Sequence, residues 1–383
     1  MESKFSERVR RLPASEFAKV RQLMIERKDI IRLELGEPDF DTPQHIKDAA
    51  IQAIKEGFTH YTSTEGLLEL RQAVARKLKR ENKVEADPET EIFITDGGFG
   101  AIFDAIQALI DPGDEALVPD PAWPRFFLNV LLAGGVPKRI FLEEENDFVP
   151  DVDEIKKQIS KKTKLVIVNS PSNPTGGVIP KNVLEEIGDL AVEHDLILLL
   201  DEVYERIVFE AKHYSLATHS DLKDRIISVF SFSKTYAMTG WRVGYAVSNA
   251  NIIKAMGSVG AYPNACRTSF VQKAAVAALD GPQDCVDAMV NEYRKRRDLV
   301  VSRLKEMNVF SVAKPKGAFY VYPRILLDIK SPDFTKQLIE KAKVSVMPGT
   351  AFSVKGEKYV RISCANSLEK ISEAMDRIQK VVR

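Results

Sequence analysis

Apolar residues along the chain fall into short runs of strand length. The runs are 91–98 (EIFITDGG), 115–120 (EALVPD), 137–144 (PKRIFLEE), 163–171 (TKLVIVNSP), 196–204 (LILLLDEVY), 225–234 (RIISVFSFSK) and 242–248 (RVGYAVS). Several are apolar throughout rather than alternating, which is the pattern of strands covered on both faces. Between them, apolar residues return every three or four positions. Residues 100–114 (GAIFDAIQALIDPGD) read as a helix stopped by Pro112-Gly113, and 180–195 (PKNVLEEIGDLAVEHD) as a helix with proline near its start. Strand–helix alternation of this kind predicts an α/β domain with a mostly parallel sheet of seven strands and helices on both faces.

The texture changes after about residue 283. A long amphipathic helix (285–307) is followed by short strands, a helix, further strands and a final helix, an α+β arrangement. The first 45 or so residues read as a helix and a proline-rich extended piece expected to pack on it. Two domains are therefore expected: a large one over 46–285, and a smaller α+β domain from 1–45 with 286–383.

Composition narrows the class. Lys plus Arg and Asp plus Glu number 55 each, so the net charge is zero, which argues against nucleic-acid or membrane-surface binding by bulk charge. The three cysteines are odd in number and form no CxxC pair, so neither a disulfide framework nor a structural zinc site is expected. The first residues lack the apolar core of a signal peptide, and no run approaches the length of a membrane helix, so a cytoplasmic location is expected.

Chemistry concentrates where apolar runs end. Lys234 closes the run 225–234 amid Ser231, Ser233 and Thr235, with Arg242 eight positions on. Hydroxyls and a guanidinium make a phosphate cradle, and a lysine beside such a cradle suggests a Schiff base with pyridoxal phosphate. That cofactor needs a carboxylate opposite its ring nitrogen, and Asp201 follows the run 196–200 directly. Tyr204 is placed to reach the ring's phenolic oxygen. Asn173 sits in the turn chemistry of NSPSNPTGG (169–177), where it can hold the same oxygen and a substrate carboxylate. In TDGGFGAI (95–102) a strand runs into a glycine-opened helix whose free N–H groups favour a phosphate. Trp123, after another strand end, offers an indole to stack on the cofactor. Each residue alone reads equally as core or turn; Asp-x-x-Tyr some 30 residues before the lysine does not.

In this order, NSPSNPTG, DEVY and SFSKTYAMTGWRVGY resemble the class I, fold-type-I aminotransferases that depend on pyridoxal phosphate, and the resemblance runs from LELGEPDFDTP (33–43) to YVRISCANS (359–367). It implies that Lys234 carries the cofactor and shuttles protons, that Asp201 pairs with the ring nitrogen, and that Tyr204 and Asn173 share the phenolic oxygen. It implies that Trp123 stacks on the ring, and that Gly98, Phe99, Ser231, Ser233 and Arg242 hold the phosphate. Tyr61 looks like a tyrosine that reaches the phosphate in a partner subunit, implying a homodimer with shared sites. Arg361 looks like the clamp for the substrate's α-carboxylate, aided by Gly36.

The substrates implied are an amino acid and a 2-oxo acid. Where many aspartate-specific relatives carry a lysine after the phosphate-loop glycines, this chain has Phe99, and 253–261 holds no arginine. Arg125 and Arg267 are the candidates for a side-chain carboxylate. Aspartate or glutamate and aromatic donors both stay open, with 2-oxoglutarate as the expected acceptor. A C–S lyase or an aminocyclopropane-carboxylate-synthase-like enzyme would keep the same central residues and is the alternative.

Overall fold

The computed structural model describes residues 4–25 and 29–382. All seven expected runs are strands of one sheet: β1 (Ile92–Thr95), β2 (Glu115–Asp120), β3 (Val136–Phe141), β4 (Thr163–Asn169), β5 (Ile197–Asp201), β6 (Ile226–Ser231) and β7 (Gly244–Val247). Their spatial order is β1-β7-β6-β5-β4-β2-β3. The pairs β2–β3, β2–β4, β4–β5 and β5–β6 are parallel, while β7 runs antiparallel to both β1 and β6.

The continuous apolar runs are explained by the pleat, which sends successive side chains to opposite faces. Leu165, Ile167, Leu199, Ile227 and Val229 face helix α2 (Gly97–Leu109), packing with Ala101, Ile102, Ala105 and Ile106. Their neighbours Val166, Val168, Leu198, Leu200 and Ile226 face helix α3 (Lys181–Glu193), packing with Leu184, Ile187, Leu190 and Ala191. Each such residue, fully buried, contributes about 1.5–3 kcal/mol. Helix α2 starts at Gly97, three residues earlier than the periodicity indicates, so the glycines form its first turn instead of preceding it. It ends at Leu109, where Ile110 turns extended ahead of Pro112.

The chain's two ends are joined. Helix α4 (Asp284–Glu306), helix α5 (Leu368–Val382) and an antiparallel sheet of β8 (Tyr320–Val321), β9 (Met347–Pro348) and β10 (Val360–Ser363) form the C-terminal layer, with strand order β8-β10-β9. Ile31–Arg32 pairs in parallel with Val344–Ser345, and Leu33 O accepts from Ser363 N at 2.8 Å. Helix α1 (Glu16–Met24) is capped by Ser15, whose hydroxyl accepts from Ala18 N at 3.3 Å. Its buried Val20 belongs to the same apolar cluster as Met347 and Phe352. The first segment thus packs on the C-terminal layer. Among the described residues no helix is long and apolar enough to cross a membrane.

One glycine couples the turn after β4 to the C-terminal layer. Gly176 has φ +70°, and its carbonyl accepts from both Lys316 N and Gly317 N at 2.9 Å. A Cβ there would stand 2.5 Å from Pro315 Cβ and 2.8 Å from Gly317 O. Gly176→Ala is expected to destabilise the protein by at least about 2 kcal/mol, from left-handed strain plus the clash. Chemical denaturation checks this; an unchanged midpoint would mean that the contact yields freely.

Candidate active site

The parallel strands, together with β1 and the start of the reversed β7, bring their site-bearing ends to one edge of the sheet. The register sets Asn169 beside Asp201, and Gly244 beside both Thr95 and Ser231. Carboxyl ends of strands in open α/β sheets are where sites form, because loops there are free to vary while the sheet holds them in place. Here they open into a cavity of about 500 Å³. Its wall includes Gly36, Gly98, Phe99, Trp123, Asn173, Asp201, Tyr204, Ser231, Ser233, Lys234, Arg242 and Arg361. Of the candidate site residues, Tyr61, 87% exposed, lies off this cavity together with Arg125 and Arg267; the others are all on it.

Lys234 lies one short turn beyond β6, in the helical segment Phe232–Thr235 whose N-cap Ser231 accepts from Ser233 N at 3.2 Å. Its Nζ reaches across the cavity to donate to Gly36 O at 2.6 Å. Burial lowers its pKa to about 8, helped by the nearby Arg361 and Arg242 cations. Asp201 ends β5 and is buried; Val203 N donates to its Oδ1 at 3.3 Å. Burial raises its carboxyl to about 7, with the neighbouring Glu202 charge adding to the rise.

Tyr204 and Tyr320 hold their hydroxyls 2.8 Å apart, and burial keeps both phenols protonated well beyond neutral pH. Asn169 fixes the Asn173 turn: its Oδ1 accepts from Asn173 N at 2.9 Å, while its Nδ2 donates to Asp201 O at 3.2 Å.

Arg361, on β10, is 1% exposed. Its Nη1 donates to Asn173 Oδ1 at 2.9 Å and its Nη2 to Glu34 O at 2.6 Å, while Nε has no partner. Its guanidinium lies 4.4 Å from the Tyr320 ring centre and 4.7 Å from that of Phe352, aromatic faces that stabilise a buried cation. Burial nonetheless lowers its pKa, partly offset by the tyrosine hydroxyls and Glu34.

At the far end, Arg242 donates from Nη2 to Asp96 O at 3.0 Å and from Nη1 to Thr239 O at 2.9 Å. This sets the guanidinium against the first turn of α2. Gly97, at φ +73°, permits the approach: a Cβ there would stand 2.6 Å from Arg242 Nη2. The first turn of α2 holds no acidic residue, so its free N–H groups and the guanidinium form an anion site. Trp123 stacks on Phe99, with centroids 5.7 Å apart and planes at 18°, and Phe17 meets its edge at 5.0 Å.

Several residues at or behind the cavity wall escaped the sequence reading. Asn169 carries the signal that marked Asp201, a polar residue closing an apolar strand. Tyr320 reads as core within GAFYVY. Phe17, Val20, Arg21 and Met24 line the cavity from α1, at the 3–4 spacing of one helix face. Neither arginine singled out for a side-chain carboxylate is on the cavity wall. Arg267 is buried, paired with Asp96 at 3.2 Å and Asp104 at 3.7 Å. Arg125 is exposed, with its guanidinium 4.7 Å from the Phe99 ring centre.

The lowered pKa of Lys234 has a direct test. Amine-reactive labelling, read by mass spectrometry on the cofactor-free protein, should give Lys234 a midpoint near pH 8, below the ordinary lysine range. Arg361→Met removes a like charge and should move the midpoint up. A midpoint near that of surface lysines would contradict the geometry.

Comparisons with known proteins agree with one another. The family model described as aminotransferase class I and II matches residues 28–378. An aspartate aminotransferase of Pyrococcus abyssi is 47% identical, with 99% of this chain and 98% of that protein aligned. An aromatic-amino-acid aminotransferase of Thermococcus litoralis is 44% identical, over 99% of this chain and 98% of the relative. The solved aspartate aminotransferase from Thermus thermophilus with maleate superposes with a TM-score of 0.93 at 38% identity, covering 98% of this chain and 99% of that one.

Proposed function

The chain belongs to the class I and II aminotransferases, and from that premise we propose that it moves the α-amino group of an L-amino acid, dicarboxylic or aromatic, to 2-oxoglutarate, with Lys234 as the covalent anchor and proton carrier. The observation that carries this reading is the convergence of the Lys234 amine, the Asp201 carboxylate and the Arg361 guanidinium on one cavity. The C–S lyase alternative draws no specific support from the site.

The residues fit pyridoxal phosphate, the cofactor of the family. Asp201 is a buried carboxylate with one backbone donor, an arrangement that calls for a cation, and a protonated ring nitrogen is one. The anion site at Gly97, Gly98, Phe99, Ser231, Ser233 and Arg242 suits a phosphate. Tyr204 and Asn173 offer hydrogen bonds for the phenolic oxygen, and Trp123 an aromatic face. When bound, this cofactor supplies the electron sink that makes the substrate's α-proton removable and carries the amino group between the two half-reactions.

The chain's own residues do the rest. Lys234, neutral for an appreciable fraction of the time near neutral pH, would take the substrate's α-proton at Nζ and hold it for the second proton transfer. Beside a protonated ring nitrogen Asp201 would hold its negative charge at the far end, where it would favour the electron-withdrawing state of the site. Arg361 orients the substrate through its α-carboxylate, with Asn173 and Gly36 beside it. Phe17 and Trp123 shed water from the reacting face. Tyr61, exposed in this chain, would complete the phosphate site of a second subunit; we therefore propose a homodimer, and a cytoplasmic location in keeping with the cysteine usage.

Two outcomes are expected. After loading with the cofactor and borohydride reduction, the modification should map to the peptide around Lys234; finding it on another lysine, or on none, would overturn the anchor. Asp201→Asn should lower kcat by roughly 10²-fold or more, the size of a lost electrostatic interaction at a reacting centre, with the KM for the amino acid little changed. Near-normal kcat would remove Asp201 from the mechanism.

A further inference from the structure

Resting on the aminotransferase reading, we propose that Arg21 is the specificity residue that takes the second carboxylate of dicarboxylic substrates. Four arginines line the cavity: Arg21, Arg32, Arg242 and Arg361. Three are committed. Arg361 faces the α-carboxylate end, held by Asn173 and Glu34. Arg242 is fixed against the anion site by Asp96 and Thr239. Arg32 is paired with Glu34 through Nε at 2.8 Å and Nη2 at 2.7 Å. Arg21 makes no ion pair among the described residues.

Its position suits the task. Phe17, Val20, Arg21 and Met24 form the face of α1 turned to the cavity, and Arg21 is the one charged residue on that face. Phe17 marks the α-carboxylate end, with its ring centre 6.0 Å from the Arg361 guanidinium. Arg21 follows Phe17 by four residues and so stands about 6 Å farther along the helix axis. This is the scale separating the two carboxylates of a five-carbon dicarboxylate. The side chain is exposed and long, so its guanidinium can fold inward on a carboxylate or stay in water.

The same face explains a second kind of side chain. With Arg21 turned outward, Phe17, Val20 and Met24 join Ile102 and Met347 in an apolar wall able to pack an aromatic ring. One helix face therefore serves both a charged and an apolar substrate side chain. The amino-group acceptor with two carboxylates and a donor with an aromatic ring can take turns in one cavity.

The test uses the cofactor-loaded enzyme and two variants, Arg21→Gln and Arg21→Lys. Each half-reaction is followed separately: 2-oxoglutarate against phenylpyruvate, and aspartate against phenylalanine. Binding of maleate and of 3-phenylpropionate is measured in parallel by spectral titration. Arg21→Gln should raise the KM for 2-oxoglutarate and the Kd for maleate by roughly 10- to 100-fold, the effect of a lost charge-assisted bond. The kcat for 2-oxoglutarate and all phenyl-substrate constants should stay within about twofold of wild type, and Arg21→Lys should recover part of the loss. Equal losses for both substrate classes would show a packing role for α1 and overturn the proposal. So would unchanged dicarboxylate constants, or a wild-type enzyme that turns over phenyl substrates only. If wild type transfers no amino group from any donor, the functional reading fails along with the proposal resting on it.

Discussion

A carboxylate buried at the end of a strand is the constraint on which the rest depends. Asp201 is expensive where it stands: burial alone lifts its proton affinity by several powers of ten. The fold keeps it there by flanking β5 with strands on both sides and covering both faces with helices, so the residue is buried except where it meets the cavity. What the fold withholds is a cation, and the cavity is shaped to receive one. Lys234 experiences the same environment with the opposite sign. Burial that makes Asp201 reluctant to ionise makes the amine reluctant to stay charged. One desolvated cavity thus tunes an acid and a base toward neutral pH together.

The second requirement is that the cavity have a lid and a clamp, and the chain's ends supply them. Arg361 comes from β10, Glu34 and Gly36 from the segment after the short N-terminal strand, and Phe17 and Arg21 from α1. These pieces are joined by the pairing of Ile31–Arg32 with Val344–Ser345 and by the bond from Arg361 to Glu34 O. The Lys234 amine crosses to Gly36 O, tying the sheet edge to that same segment. The cavity surface around Arg361 is therefore built from residues more than 300 positions apart in the chain.

The large sheet was legible because its strands are buried on both faces, so their apolar runs stand out, and because polar residues closing those runs have few ordinary reasons to be there. Asp201 and Lys234 drew attention in this way, and Asn173 through the turn chemistry that follows such a run. The sheet's order was not, since nothing in β7 marks it as the reversed strand between β1 and β6. The contribution of α1 was also hidden: a half-exposed helix with Phe17 and Arg21 one turn apart looks like any amphipathic surface helix until its face is seen against a cavity. Arg267 misled for the converse reason. The sequence left it open as a ligand for a side-chain carboxylate, yet its partners are Asp96 and Asp104, and its work is to hold the start and the body of α2 against the sheet.

The most direct measurement is a single turnover of the cofactor-loaded protein with one amino acid and no oxo acid, with all products quantified. The account predicts one equivalent of 2-oxo acid per site, no free ammonia, and an amino group retained on the cofactor until an oxo acid is added. Release of ammonia, or no product from dicarboxylic, aromatic and aliphatic amino acids alike, would contradict it.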